Sequence, residues 1–293
     1  MAFDNGRHWE TDVERREEQI NYSGRVAMET IKIYLAIITT SIRARMEYKT
    51  SFLFYIFAIL VFYLGQIGLL LVVLNRFHKI QGWSLGEMAF LYTLLALAHG
   101  VTNLIFSQLI HFDQMIITGE FDRILVRPLS PLGQVIFSRF EISTVAHLIM
   151  GFVALWFSTH ISGIEWTFKK IALFPLIVIG GVLIAGAIRL MVSAVAFWTL
   201  RNRSLVHTAV FSSREFIVYP VSIYNTGVQF FLTFVFPIAF INFYPAHLFL
   251  DRSGDDLLHP ALQMGTPIVG ITLFVISLLA WKSGVNHYQS SGS

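Results

Sequence analysis

The side chains of this 293-residue chain best suited to chemistry stand in otherwise apolar surroundings. Arg214 and Glu215 are neighbours between two hydrophobic runs. His99 and Asn103 lie four apart, on one face of a helix, while His147 and Arg189 are single polar residues in two further apolar stretches. A charge at the centre of a bilayer costs roughly 2.5–3.5 kcal/mol even on the lenient scale. If their segment crosses a membrane, Arg214 and Glu215 must therefore face protein or water, with His207, Asn225 or a partner subunit as bonding candidates. A structural role for this polar pair is the first reading and a substrate site the second. For His99, Asn103 and His147, hydrogen bonds between helices are the first expectation; for Arg189 it is snorkelling to the nearer interface.

Catalytic signatures are missing. The sequence has no GxxxxGK[ST] phosphate loop, no HExxH and no GxSxG. It has no cysteine, which removes disulfides and thiol chemistry. No Cys/His cluster is available for zinc. The chain is expected not to be an enzyme and to hold no metal or cofactor of its own.

The stretch from Phe112 to Glu141 is of another kind. Phe112, Met115, Ile116 and Ile117 form a short apolar face beside Asp113 and Gln114, and Gly119 ends that helix. Glu120 and Asp122 open a new turn with Phe121 between them, and Arg123 can pair locally or answer a partner's acid. Arg127, Pro128 and Pro131 make a structural corner, since proline stops a helix. So structured a polar loop between two membrane runs suits the docking of a soluble partner, with a re-entry linker lying on the membrane as the alternative.

Composition supplies the frame. Hydrophobic residues make up 55% of the chain and charged ones 13%, against about 25% charged in soluble domains. With mean hydropathy +0.64 and several apolar runs near helix-spanning length, the class is an all-α polytopic membrane protein. The expected organisation is a charged tail over 1–24, a single transmembrane domain over 25–283 and a tail over 284–293. Residues 1–22 are too charged for a cleavable signal peptide. Ile31, Tyr34, Leu35, Ile38 and Ile42 suit an interfacial helix before the first span, with a helix packed against the bundle as the alternative. Spans are expected at about 52–74, 88–110, 142–161, 171–200 and 266–281, with Ser84 and Glu87 forming a helix-starting box before the second. The fourth is long enough to require tilt, projection or a bend at Gly180-Gly181.

Hydropathy alone makes Thr226–Tyr244 the fifth span. Pro237 divides that run and Pro245 closes it, so Leu205–Tyr224 is the alternative span. Either choice gives the same parity. Lys32, Arg43, Arg45, Lys49, Arg123, Arg127, Arg139, Arg201, Arg203 and Lys282 then fall on one side. Arg76, Lys79, Lys169, Lys170 and Arg252 fall on the other. The excess predicts both termini in the cytoplasm. The net charge of +3 is explained by those loops, so no nucleic-acid partner is expected.

Four segments carry a family resemblance. They are Gly82-Trp83-Ser84-Leu85-Gly86-Glu87-Met88-Ala89-Phe90-Leu91-Tyr92; Gly119-Glu120-Phe121-Asp122-Arg123-Ile124-Leu125-Val126-Arg127-Pro128-Leu129-Ser130-Pro131; Tyr219-Pro220-Val221-Ser222-Ile223-Tyr224; and Phe236-Pro237-Ile238-Ala239-Phe240-Ile241-Asn242-Phe243-Tyr244-Pro245-Ala246. The chain, from about Tyr34 to Trp281, resembles the permease subunit of an ATP-binding-cassette exporter of the ABC-2 family, in a bacterial branch that often has two different permeases. The resemblance implies six transmembrane helices in the bacterial cytoplasmic membrane. It implies two cytoplasmic ATPase subunits using Mg-ATP and a second permease subunit, different in preference to identical. It implies a coupling helix at about His111–Arg123, with Asp113, Glu120, Phe121, Asp122 and Arg123 as the coupling residues. It selects 205–224 as span five and 226–248 as a re-entrant outer hairpin containing Pro237, Asn242 and Pro245. Spans two and five of paired subunits would move at their shared interface. The rival readings are an ion-coupled transporter or channel, which needs a chain of intramembrane acids, and a non-transporting membrane scaffold.

Overall fold

The computed structural model describes residues 28–44, 46–47, 49–77, 81–138, 141, 144–252 and 260–289. The charged tail expected over 1–24, together with Arg45, Lys79 and Arg139, lies outside them. Among the described residues every regular element is helical.

Helix α1 (Met28–Ala44) lies at 88° to the first part of α2 (Lys49–Phe77). The next helix, α3 (Leu85–Phe106), begins with the anticipated box. Ser84 N donates to Glu87 Oε2 at 2.7 Å, and Glu87 N donates to Ser84 Oγ at 3.5 Å. A 3-10 turn over Ser107–His111 carries α3 into α4 (Phe112–Ile117). Then come α5 (Glu120–Leu125), α6 (Pro131–Ser138), α7 (Val145–Ser162) and α8 (Phe168–Thr199). Helix α9 (Arg203–Val206) runs through π-helical His207–Ser212 into α10 (Ser213–Phe216). Helix α11 (Thr226–Phe230) and its π-helical continuation Phe231–Val235 precede α12 (Ala239–Phe249), and α13 (Thr266–His287) follows.

Among the described residues four helices are long and apolar enough to cross a membrane: Leu85–Ile117, Val145–Ser162, Phe168–Thr199 and Gln263–His287. The count is six if the bent pairs Met28–Ala44 with Lys49–Gly65 and Thr226–Val235 with Ala239–Phe249 are one span each. The chain is thus an all-α polytopic membrane protein.

Close packing explains several small residues. A Cβ on Gly270 of α13 would meet the Gly180 carbonyl oxygen at 2.6 Å, and one on Gly181 would meet Ala98 of α3 at 3.1 Å. The glycine pair anticipated as a bend in α8 therefore serves two helix crossings, as small residues do between membrane helices. Helix α8 continues through it.

Helix α3 is the central post of the bundle, with Phe90, Leu91 and Leu95 fully buried. One expectation changes. The fifth segment does not form one helix over 205–224. Helical structure stops at Phe216 because Pro220 has no N–H for the Phe216 carbonyl and disfavours helical geometry in the residue before it. The Ile217 carbonyl instead accepts from Asn242 Nδ2 at 2.6 Å.

The chain bends by 105° between Thr226–Val235 and Ala239–Phe249, and Pro237 sits in the break. Pro245 does not close the run; it lies inside α12, which continues to Phe249. The Ile241 carbonyl, whose helical donor Pro245 removes, lies beside Gly181. Nearly all of α12 is buried, so the second limb of the bent pair belongs to the bundle core.

Candidate functional site: an anchored loop and an inward-facing arginine pair

The loop between α3 and α7 is folded against the bundle. Gly119 takes the left-handed conformation, φ 68°, which costs glycine nothing. It turns the chain from α4 into α5, so the single coupling helix expected over about 111–123 is two short helices. Phe121 is 0% exposed. Its ring meets Phe112 at 5.2 Å, Phe197 of α8 at 5.4 Å, Trp281 of α13 at 6.3 Å and Tyr288 at 5.1 Å. These are edge-to-face distances and angles, a favoured arrangement for aromatic pairs.

The five residues anticipated for coupling therefore divide. Phe121 is an anchor. Asp113 is also buried; its Oδ1 accepts from Gln114 N at 2.9 Å, and it lines a cavity in the bundle. Asp122 accepts from the Tyr288 hydroxyl at 2.9 Å. Burial first, and the Asp122 carboxylate second, push the Tyr288 phenol up to about 12. Glu120 and Arg123 are exposed, as are Arg127 and Pro128 in the corner. Pro131 opens α6, where its missing N–H costs nothing. Gln134, not singled out in the sequence, ties the corner by donating from Nε2 to the carbonyls of Ile124 (3.1 Å) and Leu129 (3.2 Å). The tip residue Val126 is 84% exposed; an apolar residue between two arginines was the only available signal for it.

A groove of about 550 Å³ runs between this loop and α1, bordered by Glu120, Arg123 and Arg127 on one side and Ile37 and Thr40 on the other. Helix α1 is held there by Ser41 Oγ donating to the Ser138 carbonyl at 3.1 Å and by Tyr34 against Phe137 at 5.1 Å.

The intramembrane polar site is not the expected pair. Glu215 is exposed, whereas Arg214, about 100° around the helix, faces the interior. Arg189 does not snorkel. It is 4% exposed, donates to Asn103 Oδ1 and reaches the Thr102 carbonyl at 3.4 Å. Arg189, Arg214 and His99 line one small cavity of about 20 Å³. Arg214 also lines a cavity of about 500 Å³ that includes Asn103 and His147 and reaches His111, Asp113 and Glu141. The interhelical bond anticipated for Asn103 is present, to Arg189. His99 and His147 each leave Nδ1 buried without a hydrogen bond.

At the far end from Arg127, the loop before α3 is clasped to the chain after α12. Arg252 Nη1 meets Glu87 Oε1 at 2.8 Å and the Gly82 carbonyl at 3.1 Å, and its guanidinium lies 4.4 Å from the Trp83 ring centre. Beside it Lys170 Nζ bonds Asp251 Oδ2 at 2.6 Å and the Phe249 carbonyl at 2.8 Å. Asn242, deeper on α12, donates to the Leu91 carbonyl at 3.4 Å as well as to Ile217.

No curated protein matches the sequence. Residues 60–292 match the family described as ABC-2 family transporter protein, most of the 293-residue chain and all of the loop and clasp just described. The chain belongs to the ABC-2 transporter family, as a multi-pass permease that works with ABC ATPase subunits.

Proposed function

We propose that this chain is a transmembrane subunit of an ATP-driven exporter, forming the substrate pathway with a second permease and moved by two cytoplasmic ATPase subunits. One observation carries the mechanical part: Phe121 joins the loop to α8 and α13 through Phe197 and Trp281. A push on the exposed Glu120, Arg123, Val126 and Arg127 reaches the two helices directly, because packed aromatic rings transmit displacement with little slack. The Arg127 end is then cytoplasmic and the Trp83 end external, in the bacterial cytoplasmic membrane with both termini inside.

Mg-ATP belongs to the partner subunits, and this chain converts their closure into access. The bent pair over 226–249 enters as a re-entrant hairpin from the outer face, its Pro237 break at the depth of Arg214. Supporting that placement, Ile238 and Ile241 border the same small cavity as Arg189 and Arg214. Exit is therefore past the hairpin. The preference for a different second permease, and for outward transport, follows the family resemblance.

The test is purification of the tagged chain from its native membrane. An ATPase should copurify and be lost with Glu120→Ala/Arg123→Ala. Recovery of the chain alone, with transport intact in its absence, favours the ion-coupled reading; normal ATPase binding by the double variant removes the loop from the coupling role.

A further inference from the structure

Two guanidinium groups border the 20 Å³ cavity inside the bundle, and among the described residues no carboxylate forms an ion pair with either. Arginine stays protonated in proteins, and a buried charge without a partner is strongly unfavourable. Arg189 is partly compensated by Asn103 and the Thr102 carbonyl. Arg214 is half-buried; its Nε is enclosed with no hydrogen bond, and the Tyr63 and Tyr92 hydroxyls beside it are uncharged.

Arg214 stands between two spaces. Behind it the small cavity has room for about one water. In front lies the 500 Å³ cavity, shared with Asn103 and His147, which is large enough for a small organic anion or a lipid headgroup. That cavity also contains Asp113, Glu141, Arg203 and His207. The acid Asp113 is ten residues beyond Asn103 along the same run of helix, about 15 Å at 1.5 Å per residue. Its carboxylate is thus separated along the helix from the Asn103 end of the cavity. Tyr55 and Phe211, both exposed on the outside of the bundle, border the cavity too and give it a side facing lipid.

We propose that the deep end of this cavity binds a phosphate- or carboxylate-bearing anion, with Arg214 as its direct ligand, Asn103 and His147 beside it, and Arg189 adding positive potential from behind. The inference deepens the permease reading by naming an anionic substrate class. The anion has two sources by its chemistry, a lipid headgroup arriving past Tyr55 and Phe211 or a soluble anion arriving past Asp113.

The purified complex is tested in two binding assays that need no transport or ATP hydrolysis. One is native mass spectrometry after release from vesicles of equal phosphatidylglycerol and phosphatidylcholine. The other is equilibrium dialysis against phenyl phosphate, a soluble monoester. Selective retention of phosphatidylglycerol identifies the lipid source, and saturable phenyl phosphate binding the soluble one. Arg214→Gln should lower occupancy by about ten-fold, while Arg214→Lys retains most of it. Ser213→Asp guards against a variant that merely misfolds. Ser213 borders the small cavity, so an aspartate there gives Arg214 a resident counter-ion. It should hold or raise the melting temperature and still abolish anion binding. Wild-type occupancy in Ser213→Asp, or no bound anion on the wild-type complex in either assay, overturns the proposal. Loss of the ATPase on purification bears on the exporter reading alone.

Discussion

Tyr288 donates its phenolic hydrogen to Asp122 Oδ1 at 2.9 Å, tying the residue after α13 to the middle of α5. Together with the Phe121 contacts, this makes the loop and the last helix one mechanical unit. Tyr288→Phe keeps the ring and removes only the bond. It should cost about 1 kcal/mol of stability and leave the aromatic packing in place. Basal ATP hydrolysis in the complex should persist while transport per ATP falls. Equal coupling ratios in Tyr288→Phe and wild type contradict a transmitting role for the bond.

The same contact predicts a pH window. The Tyr288 phenol is raised above the ordinary tyrosine value, to about 12. A raised phenol pKa favours the neutral form in the folded state, so the contribution is complete below about 10 and is lost as pH rises through about 12. The phenolate absorbance difference between wild type and Tyr288→Phe should accordingly titrate well above the free tyrosine midpoint. A difference spectrum complete near pH 10 would show that Asp122 does not hold the hydroxyl.

Within the loop, stability and docking should separate by residue. Phe121→Ala empties a fully buried site and is expected to cost about 3–5 kcal/mol. Glu120→Ala and Arg123→Ala, both at exposed positions, should stay within about 0.5 kcal/mol and yet release the ATPase. Thermal unfolding in detergent and pull-down of the ATPase distinguish them; a wild-type melting temperature for Phe121→Ala removes the anchor.

Local chemistry was legible in the sequence where it depends on neighbours. The Ser84/Glu87 box, the turn at Gly119 and the corner at Pro131 follow from residue type and spacing within a few positions. Charge partition was legible too: Lys170 and Arg252 meet at the Trp83 end, and Arg123 and Arg127 at the other. Direction around a helix was not. Arg214 and Glu215 differ by one residue and face interior and surface; only the packed neighbours decide which. Likewise no local signal marks Phe121 as buried between two acids, because its pocket is built from Phe197, Trp281 and Tyr288. Arg189 was expected at an interface, but Asn103 offers it an acceptor inside the bundle.

The clasp at the Trp83 end should be a stability element. Arg252→Ala removes the ion pair with Glu87, the bond to the Gly82 carbonyl and the contact with Trp83. The two charged partners are only slightly exposed, so the combined loss is about 2 kcal/mol. Arg252→Lys keeps the charge but loses the planar fork and should recover less than half. Melting temperatures of the three proteins check this; equal values for Arg252→Ala and wild type show that the clasp is an idle surface contact.

The last prediction concerns the side of the membrane on which the bent pair begins. Asn225 caps its first limb, the side chain accepting from Val228 N at 3.0 Å. If 226–249 is a re-entrant hairpin, Asn225 lies outside; if it is a broken span, Asn225 lies in the cytoplasm. The pairing of the limbs supports the hairpin: Thr233 Oγ1 and Tyr244 Oη are 2.7 Å apart across the Pro237 break. A proline inside a continuous helix costs about 3 kcal/mol or more, a penalty avoided at the break. The chain has no cysteine, so Asn225→Cys is the only thiol present. An impermeant thiol reagent added to intact cells should label it. Loss of the Asn225 cap costs about 1 kcal/mol, so Asn225→Cys should still fold. Labelling seen only after the cytoplasmic face is opened would make 226–249 a broken span and place Arg214 and Glu215 on its cytoplasmic side.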